Sequence, residues 1–558
     1  MFLRAKRSVQ NGRTYEYLQI CETFRDQGRV RQRIVATLGK LDDLRASGQL
    51  DALAASFAKL SEAITVIGDH ERGALETVRT SRIGPAMVFG RLWKDLGIGE
   101  CIRGLLGGRR HQFDIEAAIF LTVLHRLMDP GSDRAAEKWR EDHALPEAAM
   151  RLDLQHLYRA MAWLGEELPA GGQLGRTPFA PRCVKDLLEE RLFERRRDLF
   201  TDVAIVFFDT TSIYFEGAGG QTLGRRGHSK DHRPDLPQIV VGLVLDGEGR
   251  PICCELWPGN TTDVRSLVPI VDRLQGRFRV KEICVVADRG MISDETVTEI
   301  EARGLHYILG ARMRRDKAVR DEVLSRGGRY KEVTPERRFS KDPSPLKVKE
   351  VAIGDRRYVV CLNEEQARKD AADRAAILAG LEKQLRQGDR SLVGNKGYRK
   401  YLRASGEKFE IDWDRAEGEA RYDGKWVLRT NVGDSAEDVA RTYKMLWMVE
   451  SLFRTVKSVL ETRPIYHKCD ETIRGHVFCS FLALLVMREL QERMDGHGGM
   501  DAEWADVLRD VDALTQTEVA SADGKRFLVR SESRGWCGKA FQAVGVAMPP
   551  SLRTLGKS

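Results

Sequence analysis

Two stretches constrain the fold of this 558-residue chain more than any others. AspValAlaIleValPhePhe (202–208) and LysGluIleCysValValAla (281–287) are runs of apolar and β-branched residues with little polar alternation. A strand that faces water on one side alternates; a strand apolar on both parities is buried on both faces. Each run stops at an aspartate: Asp209, followed by ThrThrSer, and Asp288, followed by ArgGly. Further strands are expected at SerIleTyrPhe (212–215), IleValValGlyLeuValLeu (239–245), ProIleCysCysGluLeu (251–256) and HisTyrIleLeuGly (306–310). Helices are expected at 263–275 and at 293–303, the second started by SerAspGluThr (293–296). TrpProGlyAsnThrThrAsp (257–263) turns into the first helix, with Thr262 or Asp263 as its cap. Strands that alternate with helices predict an α/β core over 201–310.

The flanks read differently. Residues 1–45 are β-rich, with alternation in TyrGluTyrLeuGlnIle (15–20) and ArgGlnArgIleValAlaThrLeu (31–38) around a turn at AspGlnGly (26–28). Arg29, Arg31 and Arg33 alternate and project from one strand face. That face is either solvated or a β-ribbon against DNA phosphates, and charge alone favours neither. Residues 46–200 repeat apolar residues at helical spacing, and AspProGlySer (129–132) breaks one helix and caps the next. Residues 311–430 hold a hairpin around GlyAsp (354–355), a charged helix at 364–387 and a second hairpin turned by TyrAspGly, over 419–430. Between these lie the basic residues Lys396, Arg399, Lys400 and Arg403. Residues 497–558 read as a short helix, a hairpin around AlaAspGlyLys (522–525) and a terminal helix. Trp504, Val507, Leu514, Phe527, Trp536, Phe541 and Val544 there need a covering surface, in cis or, slightly favoured, on a partner.

Within 441–457, Tyr443, Glu450 and Lys457 fall seven residues apart. Seven residues is two turns, so a continuous helix puts all three on one stripe. AspSerAlaGlu (434–437) reads as the capping box that starts it. A Glu450–Arg454 pair would account for an ordinary amphipathic helix. The other carboxylates point further. Asp209 and Asp288 end apolar strands, where open α/β sheets build their sites. A lone strand-end aspartate is often a turn residue. Neighbouring strands are ~4.8 Å apart, however, so two such side chains can share a divalent cation. Together with Glu450 they suit two hard cations in phosphodiester chemistry, and without a cation they would repel.

These motifs together resemble the DDE transposases of bacterial insertion sequences. PhePheAspThrThrSer is similar to their first aspartate motif and ValValAlaAspArgGly to the second. Tyr443-x6-Glu450-x6-Lys457 is similar to the Tyr–Arg–Glu–Lys helix of the subgroup with a β-rich insertion before the glutamate. The intervals fit an inserted core: 288 − 209 = 79 and 450 − 288 = 162. The resemblance covers most of the chain. It implies an α/β RNase H-like catalytic core interrupted by a β-rich insertion, with a small β-rich N-terminal module and a helical N-terminal region. The corresponding spans are a basic DNA-binding module at 1–45, a helical DNA-binding or assembly region at 46–200, the first part of the core at 201–310, the insertion at 311–430, the second part at 431–496 and a C-terminal tail available for assembly at 497–558.

The resemblance further implies Asp209, Asp288 and Glu450 as catalytic ligands of two Mg2+ ions, with Mn2+ able to substitute. It implies that Tyr443 and Lys457 lie by the DNA. The subgroup's arginine, three residues after the tyrosine, is Leu446 here; Arg454 is the candidate replacement. Lys230 and Arg233, in ArgArgGlyHisSerLysAspHisArgProAsp (225–235), are candidates for phosphate contacts, the alternative being a solvated hairpin. The implied partners are double-stranded DNA, as element ends and as target, and a second copy in a synaptic dimer.

Composition agrees with a globular protein: 42% hydrophobic and 31% charged residues exclude a disordered chain. A net charge of +8 suits a polyanionic partner. The ten cysteines lack CxxC pairs and read as buried thiols of a cytoplasmic protein. The apolar run 477–487 is too short to span a bilayer and reads as a core helix. The resemblance implies the bacterial cytoplasm, on the nucleoid when DNA-bound. Two other readings compete. An inactive DNA-binding or architectural protein leaves the full carboxylate set without a purpose. A haloacid-dehalogenase-like phosphatase wants a second aspartate where Thr211 stands.

Overall fold

The two apolar runs pair as neighbours in one sheet. The computed structural model describes residues 1–558 except 11–12, 27–28, 61–69, 71–72, 74, 110, 174–175, 177–179, 197–202, 279–281, 334–345, 388–397, 406–407, 500, 522–523 and 556–558. The strands of this sheet are β1 (Val203–Tyr214), β2 (Gln238–Leu245), β3 (Pro251–Pro258), β4 (Glu282–Ala287), β5 (His306–Gly310), β6 (Lys331–Val333), β7 (Leu346–Ile353), β8 (Arg356–Leu362) and β9 (Lys425–Thr430). Their order is β6-β7-β8-β9-β5-β4-β1-β2-β3. β4 runs parallel to β1 and to β5, and the other neighbours are antiparallel. At one end lies a β1-β2-β3 meander, with β3 at the edge, and β1 pairs on its other side with β4, which is followed by β5.

Burial follows the composition of the strands. Every residue of β2 is buried. Helices Asp263–Phe278 and Asp294–Ala302 cover one face, where Val206, Phe208 and Val285 meet Leu267, Ile270, Leu274, Val297 and Ile300. Each such side chain contributes roughly 1.5–3 kcal/mol by leaving water. Strand alternation turns Phe207 and Asp209 to the opposite face. There is no separate strand at 212–215: β1 continues unbroken to Tyr214, because Thr210, Thr211 and Ser212 pair with Gly242, Val241 and Val240 of β2. In the 311–430 span, β6 to β9 lengthen this same sheet. The expected hairpin at 419–430 has only its second arm. In place of the first, the helix Trp413–Glu419, started by Asp412, whose carboxylate accepts from the Arg415 amide, runs into a 3-10 turn at Ala420–Tyr422, while β9 pairs with β8 and β5 instead. Lys396 lies outside the described residues.

The 436–459 segment is not one regular helix. A helix does start here, but its cap is Ser435, one residue later than the 434–437 capping box predicts, accepting from the Asp438 amide at the start of Ala436–Lys444. Hydrogen bonds then shorten to i→i−3, from Leu446 to Tyr443 and from Val449 to Leu446. Trp447–Arg454 follows, and Thr455–Val459 widens to a π turn. Tyr443 and Glu450 therefore sit on two α-helical pieces joined by a tighter step, and Lys457 on a π turn, rather than all on one regular helix. The first piece packs on β4, β5, β7 and β8, the second on β1 and β2. The apolar run 477–487 is the buried centre of helix Asp470–Asp495. No described helix is long and apolar enough to cross a membrane. Nine of the ten cysteines are buried and free; Cys469 is exposed.

Two units make up the chain, one of residues 85–503 and 539–546 holding this sheet, the other of residues 1–84, 504–538 and 547–558. In the latter, Phe2–Gln10, Arg13–Asp26 and Arg29–Lys40 form an antiparallel three-stranded sheet. A second sheet orders Leu552–Leu555, Arg526–Arg530, Thr515–Ser521 and Leu75–Arg82. Two expectations are corrected here. The 46–200 span is not all helix, since Leu75–Arg82 is a strand whose partner comes from the C-terminal region. The C-terminal apolar residues do not await a partner, because Val507, Leu514, Phe527, Phe541 and Val544 are buried within the chain itself. Of the expected 522–525 turn, 522–523 lie outside the described residues; its arms pair as predicted.

Candidate active site

Asp209 and Asp288 meet because of strand register. The parallel ladder runs from Val203↔Glu282 to Phe208↔Ala287, so the next residue on each strand is an aspartate. Asp209 is mostly buried, its side chain 20% exposed. Its Oδ1 accepts from the Thr210 amide at 2.7 Å. Burial pushes its carboxyl up to about 6, against the Lys230 ammonium and the Thr210 amide, with the charges of Asp288 and Asp263 adding to the rise. Asp288 Oδ1 accepts from the Tyr443 hydroxyl at 3.0 Å. Burial, then the Asp288 charge, keeps that phenol protonated far above its ordinary range. Gly310 makes the approach possible: a Cβ there would stand 2.4 Å from the Tyr443 oxygen.

Lys230 lies beside this pair. Its Nζ donates to the Thr210 carbonyl at 2.6 Å and stands 3.9 Å from Asp209 Oδ1 and 3.3 Å from Asp263 Oδ2. Thr210 Oγ1 bonds Asp263 Oδ1 at 2.7 Å. In the sequence Asp263 is, with Thr262, only a candidate helix cap, and an aspartate at a helix start gives no other signal. A recess of about 230 Å³ adjoins the site, lined by Ser212, His228, Lys230, Asn260, Asp263 and Gly290 among others.

The other expected residues divide. Glu450 is exposed, on the helix that packs against β1, the strand of Asp209. The oxygens of Asp209, Asp288 and Glu450 are not all within 4.8 Å of one another. Arg454 is exposed, and Leu446 is buried, where an unpaired charge would be costly. Lys457 is 11% exposed and bonds Asp231 Oδ1 at 2.7 Å; Arg463 pairs with the same oxygen. Arg233 pairs with Asp235 at 2.9 Å and sits over the Tyr214 ring. Arg33 pairs with Glu22 at 2.7 Å; Arg29 and Arg31 lie on the same strand. Among the described residues, the one group with three ligand atoms within 4.8 Å is Asp133, His467 and His476. Arg126 bonds His476 Nδ1 at 2.8 Å, and His476 Nε2 bonds the Thr462 carbonyl, so hydrogen bonds already satisfy that histidine.

Asp209 and Asp288 present hard carboxylate oxygens of the kind that Mg2+ or Mn2+ takes, though with Asp263 their oxygens do not all lie within 4.8 Å of one another.

Residues 202–486 match the family described as "Transposase DDE domain". Residues 3–67 match "IS1634 family transposase, N-terminal domain". Among curated proteins, none matches the chain. A solved structure described as "Cryo-EM structure of piggyBac transposase synaptic complex with hairpin DNA (SNHP)" is similar at 10% identity and a TM-score of 0.37, over 77% of this chain and 79% of that one.

Proposed function

The chain belongs to the DDE transposases of insertion sequences, and we propose that it binds the ends of its own element and cuts and joins DNA strands at Asp209, Asp288 and Glu450. The observation that carries this reading is the register that sets Asp209 and Asp288 side by side where β1 and β4 part. DDE transposases use divalent metal ions, and these three carboxylates are the proposed ligands of two. Cations held there would activate the attacking water or 3′-hydroxyl and stabilise the leaving oxygen.

The chain's own side chains do the rest. The Tyr443 hydroxyl fixes the orientation of Asp288. The Lys230 ammonium balances charge beside Asp209. Exposed Arg454 offers a guanidinium to the phosphates of the bound end, as do Arg29, Arg31 and Arg33 of the N-terminal sheet and Arg233 of the 225–235 loop. Lys457 reaches phosphate only by exchanging Asp231 for it. The proposed assembly is a dimer on two element ends, acting on nucleoid DNA in the bacterial cytoplasm. The test is strand cleavage of a plasmid bearing the element's ends, with Mg2+. Asp209→Asn and Asp288→Asn are each expected to lower cleavage about 1,000-fold or more while end binding persists. Cleavage by Asp209→Asn at the wild-type rate would refute the assignment.

A further inference from the structure

Asp263 belongs to none of the expected catalytic sets, yet its carboxylate lies within the site. Its two oxygens face Thr210 Oγ1 at 2.7 Å and Lys230 Nζ at 3.3 Å. Lys230 Nζ also bonds Thr210 Oγ1 at 3.1 Å, closing a triangle. Donor and acceptor chemistry fixes every direction in it. An ammonium only donates and a carboxylate only accepts, so the single hydroxyl proton of Thr210 goes to Asp263 and its oxygen accepts from Lys230. Thr210 is 1% exposed, and its amide holds Asp209 Oδ1. The Lys230 backbone is pinned as well, its amide donating to Ser212 Oγ at 2.7 Å. Asp263 also approaches Asp288: a Cβ on Gly290 would lie 3.8 Å from Asp263 Oδ2 and 4.0 Å from Asp288 Oδ2.

We propose that Asp263 is a positioning residue of the strand-cleavage centre. It acts through Thr210 and Lys230, holding the hydroxyl and the ammonium so that Asp209 presents a fixed carboxylate to the divalent cation. This rests on the reading of Asp209 as a metal ligand. Without Asp263, Thr210 loses the acceptor for its proton, and Lys230 loses a counter-charge that holds it 3.9 Å from Asp209. The Asp209 carboxylate is then left with less restraint in a crowded anionic site.

The experiment uses the full chain and reads two quantities: cleavage of end DNA, and direct Mn2+ binding by calorimetry. Asp263→Ala is expected to lower cleavage about 30-fold and to weaken Mn2+ binding about tenfold, with end-DNA binding unchanged. Asp263→Asn keeps an acceptor for Thr210 but not the charge facing Lys230, and is expected to fall between. Thr210→Val should reproduce the Asp263→Ala loss, and Thr210→Ser should restore near wild-type behaviour. The Thr210→Val/Asp263→Ala double variant should be no more than about threefold worse than the poorer single variant, because both break one unit. Wild-type cleavage and Mn2+ affinity in Asp263→Ala would overturn the proposal, as would losses that multiply in the double variant. Loss of end-DNA binding together with cleavage would also overturn it, assigning Asp263 to the frame of the protein. Should Asp263→Ala not fold, Asp263→Asn and the Thr210 pair decide by the same criteria. Asp209→Asn, run alongside, separates the two claims. If it cleaves normally, the metal-ligand reading fails; if it is dead while Asp263→Ala is active, only this inference fails.

Discussion

Holding Asp209 in its site costs stability, and the sign of that cost can be worked out. Its carboxyl titrates near 6 in the folded chain, against an ordinary 3.8, because burial disfavours its charged form. Below about pH 4 both states keep the proton, and the cost is absent. Between 4 and 6 the folded chain binds the proton that the unfolded chain has lost, so stability falls as pH rises through this window. Above 6 the full cost is present, on the order of 3 kcal/mol. Asp209→Asn should therefore raise the melting temperature at pH 7.5 in chelator and leave it nearly unchanged at pH 4. Mg2+ should raise it for the wild type much more than for this variant, and equal Mg2+ responses would rule out the mechanism. The Tyr443 bond to Asp288 makes a second residue-scale prediction. Tyr443→Phe removes the donor, and Gly310→Ala puts a methyl where the hydroxyl sits. Each should lower cleavage about 10–100-fold with saturating Mg2+, since both loosen the support of a ligand rather than remove one. Full activity in both would show that the bond is idle.

At the scale of elements, what was legible depended on where the deciding partner lay. β1 and β4 could be read because their apolar runs require burial on both faces whatever the neighbours. The meeting of Asp209 and Asp288 followed from the ends of these apolar runs, although Asp209 is not a strand end, since β1 runs on to Tyr214 and pairs Asp209 with Leu243. Leu75–Arg82 could not be read, since its residues are mostly exposed and its partner, Thr515–Ser521, lies more than 400 residues downstream, with Thr80 and Thr517 hydroxyls 3.0 Å apart and 437 positions apart in sequence. The change of winding between Lys444 and Trp447 carries no glycine or proline to mark it. Asp263 was hidden by a residue type that suits a helix start equally well. The N-terminal sheet shows the same limit for charge. Its alternating arginines were plain, but the opposing strand sets Glu22 against Arg33, so part of the positive charge is neutralised within the sheet. Reversal of Arg29, Arg31 and Arg33 to glutamate should still weaken end binding and flatten the salt dependence of log K by about 2 to 3, one for each phosphate no longer held. A slope that does not move would make this sheet a solvated face.

For the whole molecule, dimerisation is expected from the reaction rather than from the C-terminal tail. The C-terminal apolar residues gave a reason to expect a partner surface, but the chain buries them itself, and three C-terminal strands complete the sheet that begins at Leu75. Removing residues 504–558 would leave Leu75–Arg82 with exposed ladder groups and strip the cover from its own unit. Such a truncation should lower solubility and cannot report on assembly. What remains is the geometry of the reaction. Each chain carries one such pair, Asp209 and Asp288, on adjoining strands, while an element has two ends that must be cut and held together. The net charge of +8 opposes association of free chains, and end DNA would neutralise it, so dimerisation should depend on DNA and on ionic strength. Mass photometry or light scattering of the full chain should therefore give one chain per particle without DNA, and two chains with two bound ends at about 0.1 M salt. A complex that keeps one chain per end across protein concentrations, while still cleaving, would mean that each chain works alone on its own end.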